Sequence, residues 1–333
     1  MSRAAPAIAI LAILLPVSVV AGILVGAVSL APGDVLGAVF GTADPSTTTI
    51  VRDLRAPRVI AAALVGGALA VAGTLLQGLF RNPLADPYVT GTSAGAALGA
   101  VAVIALGTDL AATLVPLAAF AGALVSALAV WQLARLGGRT TVLTVLLAGI
   151  ILTSFASALV TLLLFASDRL ALRLRAVLDI LSGGVTVRAT SELVIAAVVV
   201  ACGLVLAVVL GPRIDAFVFG EETAATLGVD PERTTILVIG AAALLTGAAV
   251  ALAGLVGFVG LVVPHALRPL VGATHRTLAA ASFLAGASVL VLADLGARSI
   301  FAPAELPVGV LTGILGAPFF LVLLVHAGRR ELA

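Results

Sequence analysis

The chain has 333 residues, of which 62% are hydrophobic, 10% charged and 4% aromatic, with a formal net charge of +2. Soluble domains give roughly a quarter of their residues to charge, so water is not the main solvent here. All 18 basic residues are arginine, and a chain without lysine has no Walker A loop, Schiff-base lysine or Ser-Lys dyad of its own.

A bilayer core takes about 20 apolar residues in helical form. In chain order, the stretches free of Asp, Glu, Lys and Arg are Ala4–Gly33, Val59–Phe80, Pro87–Thr108, Leu110–Ala134, Thr140–Ser167, Leu193–Pro212, Thr234–Leu267, Thr277–Ala293 and Leu306–Gly328. The seventh is too long for one crossing and is punctuated by Gly254, Gly257 and Gly260, so it divides in two. The expectation is an all-α polytopic membrane protein with ten transmembrane helices, one domain over residues 1–333. The first stretch exceeds the roughly 7–15 residues of a signal-peptide apolar region, and reads as an uncleaved helix.

Ten crossings put both termini on one side. Ten arginines at that set of ends, against eight at the other, favour cytoplasmic termini. The excess on the external side, including Arg52, Arg55, Arg58, Arg169, Arg173, Arg175, Arg188 and Arg298, calls for a separate reason.

Gly66–Ala85 and Gly247–Ala266 match at seven of twenty positions at constant offset. They would place the second crossing on the seventh. Five crossings is an odd separation and reverses orientation, giving an inverted repeat of the kind common among transporters. Tight helix packing through small residues explains the same glycines.

Chemistry-bearing side chains are few. Asp294 and Arg298, four apart, share a helix face and can neutralise one another. Gln77, Thr153, Ser154 and Ser157 suit either a pore lining or interhelical hydrogen bonds. His265, His275 and His326 fall at predicted helix ends and read as solvated. Cys202 reads as a small apolar residue, and a single cysteine cannot form an internal disulfide. No metal site is expected from three scattered histidines, nor nucleic-acid binding from so small a net charge.

The loop Gly211–Thr234 is the longest polar segment on the expected cytoplasmic side. Within it, Glu221–Val229 reads as a short helix, acidic at its start, with Ala224, Ala225 and Leu227 to bury, and stopped by Gly228 and Pro231. Such a helix either caps the bundle or docks on a partner.

The run R-A-P-R at Arg55–Arg58, followed by GGALAVAGTLLQGLFRNPLADP and TSAGAALGA, resembles the permease subunits of type II ABC importers, which take up iron-siderophore complexes, heme and cobalamin. FGEETAATLGV, GLVGFVGLVVPHALRPLVG, LAGASVLVLADLGAR and AELPVGVLTGILGAPFFLVLL follow in the expected order, so the resemblance covers Arg52–Arg330. It implies a type II permease fold in the cytoplasmic membrane, paired with a second copy or close relative, with a path along the dimer interface. It implies two separate ATPase subunits carrying ATP and magnesium, no cofactor on this chain, and a substrate-binding protein outside.

The resemblance further implies site residues. Gly220, Glu221, Glu222, Ala224, Ala225, Leu227, Gly228 and Val229 would form the ATPase-coupling segment. Asn82, Leu84, Thr141, Val142 and Leu143 would help close a cytoplasmic gate. Arg55, Arg58 and Arg298 would receive the binding protein, although anchoring helix ends at the headgroups explains arginines equally. Val177–Gly184, VLDILSGG, departs from the family pattern, which usually has a tryptophan before this turn. An ion-driven carrier, with Asp294 as its intramembrane carboxylate, is the rival reading.

Overall fold

The computed structural model describes all residues except 1–3, 27–29, 89, 107–110, 137–141, 167–173, 188, 303 and 332–333, and the main chain alone at 111–113, 142–143, 175–176, 221 and 322–331. Its helices are α1 (Ala4–Leu24), α2 (Pro32–Phe40), α3 (Pro45–Thr49), a π-helical stretch (Ile50–Arg55), α4 (Ala56–Leu79), α5 (Thr92–Leu106), α6 (Ala111–Arg135), α7 (Val142–Ala166), α8 (Leu174–Ser182), α9 (Thr190–Phe217), α10 (Glu221–Thr226), α11 (Pro231–Ala253), α12 (Val259–Val271), α13 (His275–Ser299) and α14 (Val308–Glu331). Among the described residues seven helices are long and apolar enough to cross a membrane, and Thr92–Leu106, Val259–Val271 and Val308–Leu321 are shorter apolar helices. The chain is a multi-pass membrane protein.

Helix boundaries differ from the apolar runs in a consistent way. The first run contains a 21-residue helix and then the start of α2, because α1 ends at Leu24. The run from Pro87 becomes helical only at Thr92; the described residues between 80 and 91 form turns instead. Charge spacing cannot register those turns. Asp86 and Pro87 are buried there, and Asp86 Oδ1 accepts the Tyr88 N–H at 2.7 Å. The seventh run divides at Gly254–Phe258, where Gly254 and Phe258 take positive φ of 62° and 68°.

α4 is the axis of the bundle, buried almost throughout from Val65 to Leu79. Its neighbours are α13, α11, α9 and α12. Alanine and glycine make this possible by letting backbones approach. A Cβ at Gly66 would overlap the Gly286 carbonyl on α13, and a Cβ at Gly247 on α11 would overlap the Phe120 backbone on α6.

The contacts pair off. α4 packs on α13 as α11 packs on α6; α5 packs on α7 as α12 packs on α14; α6 meets α7 as α13 meets α14. The periphery is the reverse of a soluble protein's: Ile10, Ile13, Val17 and Val20 on α1, and Val194, Val198, Val205 and Val209 on α9, are all exposed. In a bilayer these side chains face hydrocarbon.

Two ends of the bundle follow from cross-chain contacts. At the near end, Gly78 at the foot of α4 lies against Ile214 of α9 and His275 of α13. At the far end, Arg298 of α13 reaches the Gly22 carbonyl of α1 beside the start of α4. Trp131, in the last turns of α6, has the Arg135 guanidinium over its ring at 4.7 Å.

Candidate functional site

Polar groups gather at three levels: the far end, the near end and a cavity between them. At the far end Arg58 Nε lies 3.0 Å from Asp294 Oδ1, and Arg58 Nη1 lies 2.6 Å from Glu305 Oε2. Arg298 Nε approaches Asp294 Oδ2 to 2.9 Å, off the N–H axis, so this pair is held by charge more than by a directed hydrogen bond. The Asp294–Arg298 pairing expected from their spacing is present, and Asp294 also binds Arg58 across helices.

Arg55 donates to the Ile23 and Leu24 carbonyls at 2.8 and 3.0 Å, and Arg298 donates to Gly22 at 3.1 Å. Two cations therefore cover the C-terminus of α1, whose last carbonyls lack helical partners. The three arginines named from the sequence come together, but their exposure differs. Arg55 and Arg298 are buried, whereas Arg58 and Glu305 reach the surface with side chains 23% and 48% exposed. Arg52 is exposed and donates to the Val39 carbonyl at 2.6 Å, fixing α2. Arg169, Arg173 and Arg188 lie outside the described residues, as does the Arg175 side chain.

At the near end the loop after α9 contains a helix shorter than expected. α10 spans Glu221–Thr226 after Gly220 at φ 100°, and Gly228 at φ 82° turns the chain out of it. The Leu227, Gly228 and Val229 amides close back on Thr223, Ala225 and Ala224. Of the three residues expected to bury, only Ala224 does; Ala225 and Leu227 are exposed, and Glu222 with them. Val218, Phe219 and Leu227 stand out as large apolar side chains on a polar loop, Leu227 being 65% exposed. The sequence reading missed this because amphipathic spacing shows that a face is apolar but not whether its own chain covers it.

Asn82 and Leu84, expected from the resemblance at a gate, sit in the turn after α4. Asn82 is buried and its Oδ1 accepts the Leu84 N–H at 2.9 Å, closing an Asx-type turn. A Cβ at Gly220 would stand 4.0 Å from Arg81 Nη1, so this turn adjoins the loop before α10. Thr141 lies outside the described residues, and Val142 and Leu143 begin α7.

The histidine expectation fails at His275. It is 3% exposed, its Nδ1 lies 2.6 Å from Asp215 Oδ1, and its backbone N–H donates to the same oxygen at 3.0 Å. Asp215 is in the last turn of α9, so this bond ties the segment leading into α10 to the start of α13. His265 is part-buried inside α12 rather than solvated at an end. Gln77 is an interhelical bonding group: its Nε2 donates to the Gly260 and Leu261 carbonyls at 3.3 and 3.2 Å, and its Oε1 accepts from Arg268 at 3.3 Å.

Between the ends lies a cavity of about 210 Å³ beside α5 and α7. Thr153, Ser157 and Thr161, at successive steps of four along α7, line it together with Tyr88, Leu181 and Leu255. Ser154 is exposed next to this stripe. Cys202 is exposed on α9. Among the described residues no three His, Cys, Asp or Glu side chains converge on a metal-sized site.

An apolar bundle with a charged clasp at one end and an exposed apolar turn at the other is the build of a multi-pass membrane protein. The chain belongs to the FecCD transport family, whose profile matches residues 13–326. It is 40% identical over 302 residues to the uncharacterized ABC transporter permease protein YvrB of Bacillus subtilis, covering 89% of this chain and 85% of that one. It is 41% identical to the cobalamin import system permease protein BtuC of Halobacterium salinarum, covering 88% and 78%. The hemin transport system permease protein HmuU of Yersinia pestis is 39% identical, covering 84% and 83%. A solved structure described as an inward-facing conformation of a metal-chelate type ABC transporter matches with TM-score 0.82 and 31% identity, covering 96% and 98%.

Proposed function

We propose that this chain is the transmembrane subunit of an ATP-driven importer that carries an iron chelate, a siderophore or heme, delivered by an external binding protein. Cobalamin is the alternative cargo, and relatives named for cobalamin, hemin and ferric enterobactin all share this chain's family. The observation that carries the reading is the near-end turn. Phe219 and Leu227 are exposed on either side of a short helix outside the apolar bundle, where a soluble partner rather than lipid would cover them.

In this reading the near end is cytoplasmic and the permease works as a pair. Seven long helices and three shorter apolar ones supply ten crossings, and the paired packing of α4–α13 with α11–α6 supports an inverted repeat. ATP and magnesium bind the partner ATPase, which closes on Gly220–Val229 and moves α10. The Asp215–His275 bond passes that displacement from α9 to α13, and the Arg81–Gly220 proximity passes it to the Asn82 turn. Arg58, Arg52 and Glu305 form the external docking surface, while Arg55 and Arg298 support it from behind. The Thr153, Ser157 and Thr161 stripe lines the passage as a set of weak hydrogen-bonding groups, suited to a cargo that must be released.

The rival carrier reading rests on Asp294. Its two guanidinium partners, one on each of two helices, argue for a structural tie rather than a carrier group. The test is uptake into proteoliposomes holding the permease, its ATPase and its binding protein. ATP-dependent accumulation of an iron chelate is the expected outcome, and accumulation that persists without the ATPase removes the reading.

A further inference from the structure

Arg58 holds two carboxylates of unequal standing. Asp294, on α13, is buried and meets Nε, while Glu305, between α13 and α14, meets Nη1 and is half exposed. Breaking the first contact from either side strands a buried charge, which is costly. The second is a surface pair, and such pairs shift an equilibrium by about fivefold or less. The guanidinium, itself part-exposed, can therefore exchange Glu305 for another carboxylate while keeping Asp294.

The residues after Glu305 lead inward. The Leu306 N–H donates to the Ala297 carbonyl at 3.1 Å, and the Gly309 N–H donates to the Gly183 carbonyl at 2.8 Å. Gly183, at φ 76°, has no room for a Cβ, because the Leu255 carbonyl and the Gly309 backbone lie against it. The Leu255 N–H in turn donates to the Ile180 carbonyl at 2.7 Å. Leu181 and Leu255, on either side of this junction, line the cavity beside α7. Residues 305–309 thus join the charged surface of the far end to the wall of that cavity.

We propose that Glu305 is an internal stand-in for a carboxylate of the external binding protein. Docking displaces it from Arg58, and its release loosens the 305–309 segment that braces Gly183 and Leu255. The inference rests on the far-end docking reading given above and adds to it the group that docking must displace. The resting permease keeps its far end latched, and a partner that brings its own carboxylate opens it.

The test uses the full chain in nanodiscs and the binding protein of the same importer, with affinity read by surface plasmon resonance at low ionic strength. Glu305→Gln is expected to tighten binding about threefold. Arg58→Gln is expected to weaken it, and Glu305→Gln added to Arg58→Gln is expected to give no gain, because the competition runs through that guanidinium. The same gain in both backgrounds is a general charge effect and overturns the proposal. Unchanged affinity of Glu305→Gln beside a weakened Arg58→Gln also overturns it. Equal affinity of wild type and Arg58→Gln removes the docking reading, and the proposal with it. In the chain without its binding protein, Glu305→Gln is expected to speed hydrogen exchange at the Leu306 and Gly309 amides about threefold. Exchange at the wild-type rate there overturns the latch independently of docking. If Arg58→Gln does not fold, Glu305→Asp decides: it keeps the charge but draws it back by one methylene. A gain equal to that of Glu305→Gln then supports exchange, and wild-type affinity overturns it.

Discussion

Arg58 and Asp294, 236 residues apart in sequence, meet at 3.0 Å and join the start of α4 to the end of α13. Asp294 is 1% exposed and Arg298, its second partner, 5%. Removing the carboxylate strands a buried guanidinium, a change that costs about 3–5 kcal/mol when a buried pair is broken from one side. Asp294→Asn is therefore expected to lower the melting temperature of the purified permease sharply, and Asp294→Asn with Arg298→Met to recover part of the loss. A variant with wild-type stability that fails only in transport would restore Asp294 as a carrier group.

Arg55 and Arg58 sit three residues apart with different jobs. Arg55→Met removes two charged hydrogen bonds to the end of α1, each worth about 1.5–3 kcal/mol. It should destabilise the permease. Arg58→Gln should instead slow association with the binding protein in surface-plasmon measurements, most strongly at low ionic strength, because exposed charges act mainly on encounter rate. Equal on-rates for Arg58→Gln and wild type at low salt would count against docking there.

Leu227→Glu and Phe219→Asp alter residues that the permease alone leaves exposed. Both variants should keep the wild-type melting temperature and weaken ATPase binding by about tenfold or more, as expected at an interface anchor. Ala224→Glu is the contrasting change, since Ala224 is the residue of α10 that is buried and its substitution should unfold that turn.

Gly66→Ala places a methyl group inside the Gly286 carbonyl contact. Overpacking of this kind costs about 1–3 kcal/mol. Gly240, also helical, has open space around its Cβ position, so Gly240→Ala should be neutral or gain up to about 1 kcal/mol. Paired thermal melts of the two variants check the assignment of α4–α13 as a backbone-to-backbone contact.

Asp44 caps α3, accepting from Ser46 Oγ at 2.6 Å, Thr47 Oγ1 at 2.5 Å and Thr47 N at 2.9 Å. Hydrogen bonds from Ser46 and Thr47 hold its carboxyl well below the usual carboxylate range. A lowered folded value means the cap is fully present above the unfolded value of about 3.9 and is lost only as pH falls through the folded one. Amide protection at Thr47 should stay constant from neutral pH down to mildly acidic pH in the native chain. Asp44→Ala should lack that protection throughout.

The order of the apolar helices was legible because lipid demands long uncharged runs, and charge is easy to find in sequence. The split at Gly254–Phe258 was legible for the same reason that it occurs: glycine breaks the helix there. The turns at residues 80–91 were not, because Asp86 and Pro87 are buried by neighbours remote in sequence. The far-end arginines were found as a group, yet the burial of Arg55 and Arg298 depends on where the C-terminus of α1 lands, which no local pattern encodes. His275 was misread as solvated because its partner, Asp215, lies on another helix, 60 residues away.

Trp131 is the chain's single tryptophan, and it stacks beneath Arg135 at the near end of α6. Native fluorescence is therefore a one-site optical signal from the near half of the bundle. A charged group over an indole shifts its emission, so motion of the last turn of α6 would change the colour of the light as well as its intensity. Events confined to the far end would leave it dark to the spectrometer.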